Sequence, residues 1–157
     1  MTEESVETLH LLGCWDRVVG VSGYAVRPPE ARKKPRVCAF TTADVPKILA
    51  LKPDLALGFS DLQADIARDL IKAGLNVVVF NQRSIAEILG VIRATGALVG
   101  AAAKAEALAA GLSAGVEAAR RASAALPRRP KVYFEEWDVP LISGIRWVEE
   151  LVEAAGG

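Results

Sequence analysis

The sequence predicts an α/β fold built on a parallel sheet, and three observations carry that expectation. Short β-branched runs alternate with longer stretches of helical periodicity, the pattern of successive βα units. Two such units follow one another directly, each leading from an apolar run to a helix-start signal: LALGF to Ser60 and Gln63, NVVVF to Ser84 and Glu87. Hydrophobic residues make up 52% of the 157-residue chain, enough for a core.

Each element follows from its local pattern. A first helix is expected over Thr2–Leu12, with Val6, Leu9 and Leu12 on one face and Gly13 ending it. Arg17–Ser22 (RVVGVS) reads as a buried strand, and the Pro-rich basic stretch Arg27–Pro35 as irregular. Arg36–Phe40 is a short strand and Asp44–Leu51 a short helix. Leu55–Phe59 is the next strand; its helix starts at a Ser60/Gln63 capping box, sets Leu62, Ile66 and Leu70 on one side and stops at Gly74. Asn76–Phe80 is the clearest strand, and Ser84 with Glu87 opens a helix whose Ile85, Ile88, Leu89 and Ile92 should face the sheet.

From Gly100 to Ala125 the chain turns alanine-rich, and Leu108, Leu112, Val116 and Ala119 make only a narrow apolar stripe. Counted from Leu98, this helix reaches about 40 Å at ~1.5 Å per residue, a strut rather than a core element. Pro127 ends it, and Arg128, Arg129 and Pro130 form a joint. Lys131–Glu135 then reads as a strand and Gly144–Ala155 as a helix. The chain thus divides into a βα lobe over 1–97, a connecting helix over 98–127, and the start of an incomplete second lobe over 128–157. One strand and one helix cannot bury both their apolar faces alone.

Charge and motifs narrow the function. Nineteen Lys and Arg balance nineteen Asp and Glu, which excludes the basic footprint of a nucleic-acid binder and a polybasic membrane anchor. The single histidine, His10, removes every site built from two imidazoles. Cys14 and Cys38 have no metal-ligand spacing; they suit one disulfide or two buried thiols. No G-x-G-x-x-G, G-x-x-x-x-G-K-[ST] or G-x-S-x-G motif occurs, and no D-x-D-x-D-G loop. Glu135 and Glu136 point to opposite faces of their strand and cannot act as a pair. A non-enzyme, without cofactor or bound metal, is expected. Glu3, Glu4 and Glu7 stand where a secretory leader would carry basic residues, so the chain as written is expected not to be exported.

In parallel sheets ligands bind beyond the carboxyl ends of the strands. That rule selects Gly23, Tyr24 and Arg27 after the first strand; Phe59, Ser60 and Asp61 after LALGF; and Asn81, Gln82 and Arg83 after NVVVF. After the last strand come Glu135, Glu136 and Trp137, with Ser143, Arg146 and Trp147 beyond. Aromatic rings, amides and guanidinium groups without a nucleophile–base pair suit holding a large, partly flat ligand. Each has a plainer role as well: Ser60 and Ser84 as caps, Phe59 as core, Arg83 pairing with Glu87, Trp137 and Trp147 covering a joint.

RVVGVSGYAVRPPEA (Arg17–Ala31), ILALKPDLALGFSD (Ile48–Asp61), GLNVVVFNQRSIAEIL (Gly74–Leu89) and VYFEEWDVPLISGIRWVEELVEAAGG (Val132–Gly157) together resemble the cobalamin-binding substrate-binding proteins of bacterial ABC importers. These belong to the class III, helical-backbone periplasmic binding proteins, which also carry siderophores and haem. The resemblance implies two Rossmann-like lobes on a long helix and a corrinoid, ferric siderophore or haem held between them by aromatic residues, with Tyr24, Phe59 and Trp137 at such positions. It also implies an ABC permease as partner and a periplasmic or cell-surface location; the leaderless sequence leaves a cytoplasmic or truncated protein open. Against the family pattern a first strand and most of the second lobe are missing, and the acidic permease contact falls near Pro46, with only Asp44 close by. A different reading is a non-binding α/β module whose open surfaces are covered by self-association, as in a homodimer.

Overall fold

The computed structural model describes all residues, Met1–Gly157. In chain order it contains α1 (Glu3–Leu11), β1 (Val21–Ser22), β2 (Arg36–Cys38), α2 (Val45–Ala50), β3 (Leu55–Phe59), α3 (Ala64–Lys72), β4 (Asn76–Phe80), α4 (Ile85–Leu98), α5 (Ala102–Ser123) and α6 (Arg146–Ala154). The strands form two parallel pairs, β1–β2 and β3–β4. In the second pair Leu55 faces Asn76 and Phe59 faces Phe80, so both strands end at the same level. An apolar cavity of about 290 Å³, lined by Val6, Leu9, Val19, Leu51, Leu55 and Leu57, lies between the two pairs.

Burial organises the core into three clusters. Val37, Cys38, Ile48, Ala56, Ile66, Leu70 and Leu75 join β2 and β3 to α2 and α3. Val6, Val18, Val21, Ala25 and Ala31 seat α1 on β1. Leu12 and Cys14 pack with Ile92 of α4 and with Ala105 and Ala109 of α5. Cys14 and Cys38 are both buried, unbridged thiols, and burial pushes the Cys38 thiol above its ordinary range. No helix is long and apolar enough to cross a membrane.

Several expectations are corrected. The strand expected over Arg17–Ser22 pairs only at Val21–Ser22; Arg17 lies in a 3-10 turn, and the register with β2 shifts after Val21. The apolar residues of α4 meet α1 and α5 rather than the sheet. The long helix begins at Ala102, because Gly100 takes a positive φ of 68° and the chain reverses there into an antiparallel hairpin with α4. At 22 residues it is about 33 Å long. Its buried stripe is small, Ala105 and Ala109, while Leu112 and Ala119 are exposed. Small residues are what close packing needs: a β-carbon built on Gly96 of α4 would lie 2.2 Å from that of Ala105. Lys131–Glu135 is not a strand. It carries no regular secondary structure and is wholly exposed, with no neighbouring strand to pair with, and only an isolated bridge joins Trp137 to Ile142.

Candidate functional site

The level ends of β3 and β4 create one platform. Its centre is Phe59, half-buried, with the Phe40 ring 6.4 Å away and the Arg83 guanidinium 5.4 Å from its ring centroid. Arg83 donates to Asn81 Oδ1 at 2.7 Å and to Asp61 Oδ1 at 3.4 Å, so three of the strand-end residues hold one another. The Ser60 amide donates to the Phe80 carbonyl, closing the two strand ends together.

Ser60 adopts φ 75° and ψ 151°, a conformation that favours glycine, and its side chain is buried. Its hydroxyl donates to Asp61 Oδ1 and accepts from the Leu62 amide, which fixes the sharp exit from β3. That exit overturns the expected Ser60/Gln63 capping box. The first turn is 3-10, α3 starts at Ala64, and Leu62 is exposed. The Gln63 side chain turns inward instead: its Oε1 accepts from the Phe59 amide, and its Nε2 donates to the Phe40 carbonyl at 2.8 Å. Gln63 is fully buried and pins Phe40 and Phe59 side by side.

The second capping box is present as expected. Ser84 accepts from the Glu87 amide, and Glu87 accepts from the amides of Arg83 and Ser84. The Arg83 amide foremost, then the Ser84 hydroxyl and amide, hold the Glu87 carboxyl below its usual range. Glu87 therefore grips the backbone of Arg83 rather than its guanidinium, which is left to face Phe59. Gln82 is buried, and its Oε1 has no hydrogen-bond partner.

The other selected residues are placed differently. Tyr24 is exposed, its amide bonded to Ser22 Oγ, and Arg27 pairs with Glu7 at 3.5 Å. Neither shares a hydrogen bond, ion pair or ring contact with the Phe59 group. Glu136 and Trp137 lie in the exposed 131–143 segment, where the Trp137 indole donates to the Val139 carbonyl. Glu135 accepts from the Tyr133 hydroxyl in the same segment. Arg146 and Trp147 open α6 beside the platform: Trp147 donates its amide to the Arg83 carbonyl, and Arg146 pairs with Glu150. Phe40 and Gln63 are the residues that sequence reasoning missed. Phe40 ends a strand run, so the strand-end rule applied there would have found it; the inward turn of Gln63 left no signal.

The platform chemistry is stacking plus hydrogen bonding, and the architecture is that of the class III, helical-backbone periplasmic binding proteins. The periplasmic binding protein family model matches residues 1–157, and the chain belongs to that family. An uncharacterized ABC transporter substrate-binding lipoprotein of Bacillus subtilis is 33% identical over 104 residues, 64% of this chain and 33% of that protein. Vitamin B12-binding protein of Vibrio cholerae is 36% identical over 59 residues, 38% of this chain and 21% of that protein. The crystal structure of periplasmic vitamin B12 binding protein from that organism has a TM-score of 0.83 at 23% identity, covering 100% of this chain and 62% of its own. A periplasmic heme-binding protein from Roseiflexus gives 0.79 at 25% identity, covering 99% of this chain and 62% of its own. The matched region is thus well under two thirds of the curated relatives' length.

Proposed function

We propose that this chain belongs to a solute-binding protein of an ABC importer and that its Phe59 platform contacts a cobalamin or related corrinoid, without catalysis. The observation that carries the reading is the cluster of Phe59 and Arg83 at the level ends of β3 and β4, with the tilted Phe40 ring beside it. A flat ring system laid there meets an aromatic face, a guanidinium and the amide of Asn81. Tyr24, Arg27, Ser60, Asp61 and Gln82 from the first lobe, and Glu136, Trp137, Arg146 and Trp147 from the second, complete the proposed contact set. The sequence match to a vitamin B12-binding protein favours a corrinoid; haem or a ferric siderophore is the alternative, supported by the heme-binding neighbour. The receiving partner is an ABC permease, and the setting is periplasmic or cell-surface, as the substrate-binding lipoprotein relative suggests.

Titration of the chain with cyanocobalamin, hemin and a ferric siderophore, followed by tryptophan fluorescence and calorimetry, tests this. Cyanocobalamin should bind, and Phe59→Ala or Arg83→Ala should each weaken it about tenfold, the worth of one stacking or cation–π contact. Binding of hemin alone would move the ligand to the alternative; no response to any of the three overturns the reading. A second reading has its own observation. Val132, Tyr133, Phe134, Trp137, Val139, Leu141 and Ile142 are all exposed in one segment, an apolar strip that a second copy would cover. Light scattering at two concentrations decides it: a monomer at both rules self-association out.

A further inference from the structure

We infer that Glu150, on α6, is a positioning residue for the Arg83 guanidinium, so that α6 acts as a strap setting the grip of the Phe59 platform. The inference rests on the proposed ligand-binding role of that platform. Glu150 accepts from the Ile85 amide at 2.7 Å, across a separation of 65 residues, while its other oxygen accepts from Arg146 Nε at 2.8 Å. One turn earlier on α6, the Trp147 amide donates to the Arg83 carbonyl at 2.9 Å. With Glu87 on the Arg83 amide at 2.6 Å, both backbone polar groups of Arg83 are held, one by α4 and one by α6.

The far end of α6 is anchored too. The Ser123 hydroxyl of α5 donates to the Ala154 carbonyl, and Gly156 lies so close that a β-carbon there would stand 2.9 Å from Ser123 and 2.8 Å from Leu126. α6 therefore runs from the long helix to the strand-end loop, tied at both ends. The capping box satisfies the amides of Ser84 and Glu87 and leaves that of Ile85 free, and it is this amide, two residues from Arg83, that Glu150 ties to α6. What Glu150 adds is a restriction on the loop that carries Arg83, which is the preorganisation a binding residue needs.

The test is a double-mutant cycle on the full chain. Glu150→Ala should weaken cyanocobalamin binding about three- to tenfold in the wild-type background, and leave it unchanged within error in an Arg83→Ala background. Glu150→Gln keeps an oxygen for the Ile85 amide; it should retain most of the affinity and serves as the test if Glu150→Ala does not fold. Equal losses in both backgrounds would make Glu150 a general stabiliser and overturn the inference. Should the wild-type chain bind neither cyanocobalamin nor hemin, the functional reading fails, and the strap is judged by NMR alone. The Arg83 Nε–H resonance must then shift and the Ile85 amide exchange faster in Glu150→Ala; an unmoved Arg83 signal overturns it.

Discussion

Ser60 concentrates the local physics of the platform. Its positive φ strains any residue with a β-carbon, while its hydroxyl supplies two hydrogen bonds, so the two substitutions Ser60→Ala and Ser60→Gly separate these effects. Alanine keeps the strain and loses the bonds, and should cost about 1–2 kcal/mol. Glycine loses the same bonds but relaxes the backbone, and should be more stable than the alanine variant by about 1 kcal/mol in urea unfolding. Glu87 gives a pH signature of known sign. Its carboxyl is depressed in the folded chain from an ordinary 4.5, chiefly by the Arg83 amide. The stabilisation is therefore complete above that ordinary value and is lost as pH falls through the folded one. The urea midpoint of wild type should exceed that of Glu87→Gln at neutral pH, and the gap should close on acidification below about 4.5. A gap that persists in acid would show that Glu87 does not act through its charge.

At the scale of elements, what was legible in the sequence is what local chemistry decides. LALGF and NVVVF became β3 and β4 residue for residue, because β-branched and apolar runs between turn signals leave no competing structure. The Ser84/Glu87 box set the start of α4 for a similar reason. Lys131–Glu135 has the same texture, but a strand needs a neighbour, and no periodicity reveals whether one exists. Gln63 was misread because the 3-10 turn over Asp61–Gln63 delays the start of α3 to Ala64. The α4–α5 contact was misplaced because α5 meets the large side chains of α4 with buried alanines, Ala105 and Ala109, which carry little sequence signal, and Gly96 marks the closest approach. That seam makes a prediction of opposite signs. Gly96→Ala drives a methyl into Ala105 and should destabilise by about 1–3 kcal/mol. Gly111→Ala and Gly115→Ala, in open space on α5, should each stabilise by about 0.5–1 kcal/mol. Thermal melts of the three variants check this; a harmless Gly96→Ala would mean the helices stand further apart.

For the molecule as a whole, the fold places its chemistry in two groups. Phe40, Phe59, Ser60, Asp61, Asn81 and Arg83 meet on one platform, which α6 clasps through Trp147 and Glu150. Tyr24, Arg27, Glu136 and Trp137 stand apart from it, exposed. The strand-end rule selected loops that the fold brings together at the ends of β3 and β4, and the family resemblance suggested a ligand class; neither could say which of those residues would touch one another. The chain spans only part of the relatives it matches, so the platform is the portion of the proposed solute site that this chain carries. NMR mapping of the chain with cyanocobalamin is the most direct measurement. The account predicts shifts concentrated at Phe59, Ser60, Asp61, Asn81 and Arg83. Shifts confined to the exposed 131–143 segment, or no shifts at saturating ligand, would contradict it.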